Sequence, residues 1–65
     1  MTKQMQRYYY FQPESKTFYH SMEQQPYRDD WMFMGVFENP NTKMVVASLA
    51  KQIPDGATGY KIKAV

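Results

Sequence analysis

The chain has no cysteine and only one histidine, His20, in 65 residues. Without thiols there is no disulfide to staple a small fold and no thiolate cage for zinc. Aliphatic residues are also scarce: one Leu (Leu49), two Ile (Ile53 and Ile62) and four Val. Charge is modest, eight Lys and Arg against six Asp and Glu, giving a net charge of +2. That balance falls well short of the dense basic clustering of a dedicated nucleic-acid binder. The longest mostly apolar run, Trp31 to Phe37, is far too short to cross a bilayer. The opening Met1-Thr2-Lys3-Gln4-Met5-Gln6 carries no apolar stretch of the signal-peptide kind. The expectation is a single small domain over 1–65, with 1–6 frayed, cytoplasmic and without a membrane partner. A chain this short buries only about 60% of its unfolded surface. Its stability must come from large aromatics, self-association or docking onto a partner.

Aromatic surface is what the chain does have. Of eleven aromatic residues (six Tyr, four Phe and one Trp), only Tyr60 lies outside the stretch from Tyr8 to Phe37. Six Met add adaptable volume. Rigid amphipathic rings of this kind suit contact with a partner, since Tyr, Trp, Phe and Met are enriched at interfaces.

Arg7 to Phe11 and Thr17 to Met22 are both β-favouring and flank Gln12-Pro13-Glu14-Ser15, which reads as a type I turn with Pro at its second position. The segment predicts a hairpin with a loop of about four to five residues. Tyr8 and Tyr10 share one face of its first strand, Tyr9 and Phe11 the other. Glu23 to Asp30 is a polar loop with Pro26 and the pair Asp29-Asp30. Trp31 to Phe37 is the strongest strand signal, with Trp31, Phe33 and Phe37 alternating against Met32, Met34 and Val36. Both faces are apolar, which predicts a central strand. Trp31, Phe33 and Phe37 are expected to form one surface with hairpin aromatics. Asp29, Asp30 and Glu38 flank the strand as charged guards against aggregation.

Asn39-Pro40-Asn41-Thr42 has two readings. Asn39 caps a helix with Pro40 at its first position, and Val46, Leu49, Ala50 and Ile53 form its buried stripe before Pro54 ends it. Alternatively the four residues are a turn and Lys43–Leu49 returns as a strand, which gives an all-β, SH3-like small barrel. The periodicity favours the helix. After the loop Asp55–Gly59, Tyr60–Val65 alternates as a strand, with Lys61 and Lys63 on one side. The expected fold class is α+β: a small antiparallel sheet in the order β-β-β-α-β with one helix on one face. A single helix leaves the other face to a partner, a second copy or the Glu23–Asp30 loop.

No enzyme signature emerges. His20 with Ser15, Ser21 or Ser48 and Asp29, Asp30 or Asp55 forms no nucleophile-elbow motif. Asp29-Asp30 lacks further oxygen ligands at a metal-binding spacing. Asp55-Gly56-Ala57-Thr58-Gly59 is followed by no Lys-Ser/Thr and matches neither phosphate-binding loop. No cofactor or metal is implied. The candidate partner-binding residues are Tyr8, Tyr10, Tyr27, Arg28, Asp29 and Asp30, which combine aromatic anchors with both signs of charge. A second set, Arg7, Lys61 and Lys63, serves a nucleic-acid reading in which Tyr8–Phe11 stack on bases.

The layout of Met32–Phe37, Thr42–Ile53, Pro54-Asp55-Gly56 and Tyr60–Val65 resembles that of small early proteins of tailed bacteriophages that shut down host enzymes. RNA-polymerase inhibitors among them place strands before a helix, a Pro/Gly exit and a final strand. The resemblance covers about half the chain and does not extend to the aromatic hairpin. It implies a non-catalytic, phage-encoded inhibitor that docks on a larger bacterial protein in the host cytoplasm. The residues also admit a small nucleic-acid-binding domain, or a homo-oligomeric assembly subunit built on the aromatic face.

Overall fold

The computed structural model describes residues 5–53 and 59–65. Strands β1 (Gln6–Gln12), β2 (Thr17–Ser21) and β3 (Met32–Glu38) precede helix α1 (Thr42–Lys51) and strand β4 (Lys61–Ala64), so the chain is a small α+β fold. The expected helix stop at Pro54 and the Asp55–Thr58 part of the exit loop lie outside the described residues.

β1 and β2 form the hairpin, with Tyr8 opposite Ser21, Tyr10 opposite Tyr19 and Gln12 opposite Thr17. The Lys16 N–H donates to the Pro13 carbonyl at 3.3 Å. The turn therefore begins at Pro13, one residue later than expected, and Pro13 takes its first position. Lys16 closes the loop with a left-handed φ of 51°. The Ser15 hydroxyl donates to Gln12 Oε1 at 2.6 Å, which holds the turn against the strand end.

The sheet order is β3-β1-β2-β4. β1, not β3, is the central strand with antiparallel neighbours on both sides, which corrects the sequence expectation. β4 runs parallel to β2, so the sheet is mixed rather than purely antiparallel. The reason is the helix. After β3 the helix carries the chain back to the end where β3 began, so the next strand repeats β3's direction, which is also that of β2. Both edges stay open among the described residues, and the sheet does not close into a barrel.

One sheet face packs against α1. Tyr9, Phe11 and Phe18 meet Val46, Leu49 and Ala50, with Met34, Phe37, Val45, Ile53 and Tyr60 around them. Tyr9, Phe18 and Val46 are wholly buried. The helix stripe read from the sequence is thus the buried one. The cap is Asn41, not Asn39: Asn41 Oδ1 accepts from the Met44 N–H at 3.3 Å. An N-cap residue takes extended backbone, as Asn41 does with φ −86° and ψ 106°, whereas Asn39 adopts a left-handed φ of 45°. In that conformation its N–H donates to the Met5 carbonyl at 2.6 Å and its Oδ1 accepts from the Met5 N–H at 3.1 Å. Met5 is therefore tied down and Gln6 already pairs with Glu38, so the fray expected over 1–6 does not include them.

β3 carries a bulge. Tyr9 pairs with Gly35 but Tyr10 pairs with Phe33, leaving Met34 as an extra residue. Gly35 has a φ of 127°, a conformation that side chains rarely allow. The extra residue resets the alternation. Phe33 and Val36 lie on the face of Tyr10 and Tyr8, whereas Met34 and Phe37 turn to the helix side. The single surface expected from Trp31, Phe33 and Phe37 is therefore split between two faces.

Candidate functional site

The sheet face away from α1 carries Tyr8, Tyr10, Tyr19 and Ser21 from the hairpin, Phe33 and Val36 from β3, and Lys61 and Lys63 from β4. The Glu23–Asp30 loop folds across part of it. The Gln25 N–H donates to the Tyr10 hydroxyl at 2.9 Å, and Gln25 Nε2 donates to Ser21 Oγ at 2.9 Å. Trp31 then lies flat on Tyr19, with ring centroids 4.6 Å apart and planes 22° apart, and tilts against Tyr10 at 5.4 Å.

Charge is fixed beside these rings. The Arg28 guanidinium sits 4.4 Å from the Trp31 ring centroid, within cation–π range. Arg28 Nε and Nη2 donate to the two Asp30 oxygens at 3.0 and 2.8 Å, a bidentate fork. Gln12 Nε2 donates to Asp30 as well, at 2.8 Å. The Arg28 hydrogen bonds, with help from Gln12, hold the Asp30 carboxyl below its usual range. The pair is solvent-exposed, so its contribution is mainly to geometry.

Between loop and sheet lies a cleft of about 250 Å³. Tyr10 lines it from the sheet, Trp31 and Phe33 from the start of β3, and Gln25, Pro26, Tyr27 and Arg28 from the loop. Tyr27 is 88% exposed and Phe33 57%. Trp31 Nε1 is buried with no hydrogen-bond acceptor among the described residues. An unmet buried donor of this kind is uncommon and costs about 1–3 kcal/mol.

The structure brings Tyr10, Tyr27, Arg28 and Asp30 together here. Tyr10, however, is only 6% exposed and is spoken for by Gln25, so it supports the cleft rather than offering a free anchor. Tyr8 lies half-buried on the same face, opposite Val36 and Ser21. Asp29 is exposed on the loop. Lys61 and Lys63 occupy the far edge of this face, level with Thr17 and Tyr19. Arg7 is on the helix side, opposite Phe37, and so is separated from the two lysines. Sequence reasoning missed Trp31 and Phe33 as cleft residues. A glycine inside a strand pattern signals a bulge, and Gly35 was the available clue that the alternation would break.

His20 sits on the helix side with its ring over Tyr9, centroids 6.0 Å apart. Arg7 Nη1 lies 3.2 Å from His20 Nδ1. Guanidinium can only donate, so Nδ1 accepts and the ring proton resides on Nε2. Burial, then the Arg7 charge, pushes the His20 pKa down. No serine or carboxylate hydrogen-bonds this ring among the described residues, so no triad is assembled there. Among the described residues no cluster of three metal-ligating side chains occurs, and no helix is long and apolar enough to cross a membrane.

No protein-family model matches the chain, and no curated protein or solved structure matches it.

Proposed function

We propose that this is a non-catalytic binding protein that docks on a larger bacterial protein, as a phage-encoded inhibitor in the host cytoplasm does. The observation that carries this reading is the cleft edge itself. Tyr27 and Phe33 project into solvent beside Trp31, while Arg28 and Asp30 form a charged rim already fixed in place. Tyr, Trp and Arg are the residues that concentrate binding energy at interfaces, and anchors held in place before contact lose little freedom on binding. Immobilised protein is exposed to nuclease-treated bacterial lysate, and retained proteins are compared between wild type, Tyr27→Ala and Phe33→Ala. The expected result is a retained bacterial protein whose affinity falls at least tenfold, about 1.4 kcal/mol, in each variant. Equal retention by all three would remove the cleft from the reading.

A second reading has its own observation. The parallel placement of β4 puts Lys61 and Lys63 on the same face as Tyr19, so a basic fringe borders the aromatic surface. Single-stranded nucleic acid would stack on the exposed rings and lay phosphates along the lysines. Titration with an oligonucleotide across salt concentrations separates the two readings. Phosphate contacts give a log–log slope of about −0.7 per contact, and Lys61→Gln with Lys63→Gln would flatten it.

A further inference from the structure

The two edges of the sheet are guarded unequally. β4 carries Lys61 and Lys63, the side chains that natural edge strands use to repel a further strand. β3 has no charged residue from Met32 to Phe37, and Met32, Phe33 and Val36 are 49%, 57% and 42% exposed. Among the described residues nothing pairs with its outer side. A six-residue uncharged edge of this kind is a template for another strand.

A bulge ordinarily protects an edge, because it breaks the alternation of faces that a pairing strand must match. Here it leaves one antiparallel register intact. Phe33 and Val36 face one way, and Met32 and Phe37 the other. If a second β3 lies antiparallel with the two-fold axis between Met34 and Gly35, Phe33 of each copy meets Val36 of the other, and Met32 meets Phe37. Both faces then match on both sides of the axis. Shifting either strand by one residue puts Phe33 opposite Phe37, which point to opposite faces. The same register sets Glu38 against Trp31, beside the Arg28–Asp30 pair. A strand that matches itself in this way identifies its own occupant.

We propose that the outer edge of β3 pairs antiparallel with β3 of a second copy of this chain, centred between Met34 and Gly35, to give a continuous eight-stranded sheet with a helix layer on one face. The edge shares Phe33 and Trp31 with the cleft but pairs through the outer backbone of β3, and pairing sets the two clefts of the dimer on the same side of the joined sheet. It thereby goes beyond the docking reading and does not depend on it.

The test combines mass in solution with a cross-link. Sedimentation equilibrium on the purified full chain is expected to show a monomer–dimer equilibrium. Val36→Lys and, separately, Met32→Lys should raise the dissociation constant by about tenfold, since each removes two symmetry-related cross-strand pairs. Circular dichroism checks that each variant stays folded. The chain has no cysteine, so Phe33→Cys and Val36→Cys can be mixed and oxidised. The mixed disulfide should dominate over the Val36→Cys homodimer, whose sulfur-bearing residues stand about three residues, or ~10 Å, apart in this register, beyond the reach of a disulfide. If both lysine variants unfold, the cross-link alone decides. A protein that remains monomeric at all concentrations overturns the proposal. So does a dimer that forms unchanged in the lysine variants or cross-links without this selectivity. Protection of β3 amides only when a different protein is added also overturns it, in favour of strand addition by that partner.

Discussion

The Gln25 backbone N–H donates to the Tyr10 hydroxyl across 2.9 Å, and this bond fastens the Glu23–Asp30 loop to the sheet face that the helix leaves uncovered. Trp31, stacked on Tyr19, completes the cover. A second layer is thus built from a loop and a single indole, and the cleft is the gap left between them and β3.

Tyr10→Phe tests that fastening. It keeps the ring in place and removes the acceptor of the Gln25 N–H. The expected loss is about 0.5–1.5 kcal/mol in urea denaturation, the net worth of one such bond. Faster hydrogen exchange at Gln25, with unchanged exchange in Phe18, would place the loss in the loop. Unchanged exchange at Gln25 would mean that the loop is held by other contacts.

Phe18→Ala tests the core. Phe18 is wholly buried, 4.6 Å from the Phe11 ring and edge-on to Tyr60 at 5.4 Å. Truncating a ring so placed costs about 3–5 kcal/mol, against a total stability of about 5–15 kcal/mol for ordinary domains and less for a chain this small. The variant should be largely unfolded at room temperature by circular dichroism. A folded variant with a loss below about 1 kcal/mol is incompatible with this core.

Gly35→Ala tests the bulge. A new Cβ would meet the Phe37 ring at an ordinary 3.5 Å, so space is not the obstacle. The backbone is, because a φ of 127° is strained for alanine. The expected loss is about 1–3 kcal/mol in thermal or urea unfolding. No loss would mean that β3 relaxes to a regular strand, which a changed pairing at Phe33 would reveal.

His20 gives the fold a pH dependence of known sign. Its pKa is lowered from 6.5 by burial and by Arg7, so the unfolded chain binds its proton more readily than the folded one. The stability this contributes is complete above pH 6.5 and is lost as pH falls from there through the folded value. Asp30, whose pKa is lowered from 3.8, adds a separate loss only at more acidic pH. His20→Gln should remove the first decline and leave the second. An NMR titration of the His20 ring placing its pKa above 6.5 would contradict the Arg7 contact as described.

What the sequence made legible was whatever repeats locally. The spacing of Val46, Leu49 and Ala50 marked the helix face because burial and helical period agree there. The hairpin followed from two β-favouring runs around Pro13. Strand order was not legible, since β4's place beside β2 depends on where the helix delivers the chain. Asn39 read as the helix cap, and its long-range bonds to Met5, which no local pattern shows, are what leave the cap to Asn41. In the cleft, Tyr27, Arg28 and Asp30 stood out by their mixture of ring and charge. Trp31 and Phe33 were grouped with Phe37 in one surface because strict alternation hid the break at Gly35.

The parallel run of β4 beside β2 also decides how the chain would bear a load. β1 starts, and β4 finishes, at the same margin of the sheet: Tyr8 is level with Ser21, and the Val65 N–H donates to the His20 carbonyl. Met5 and Val65 therefore leave that margin two strand spacings apart, about 10 Å. Force applied between them peels the strands open one hydrogen bond at a time and does not shear several at once. Held at Met5 and Val65 the sheet should be mechanically soft, whereas a short peptide bridge between those two residues should be accepted without bending it.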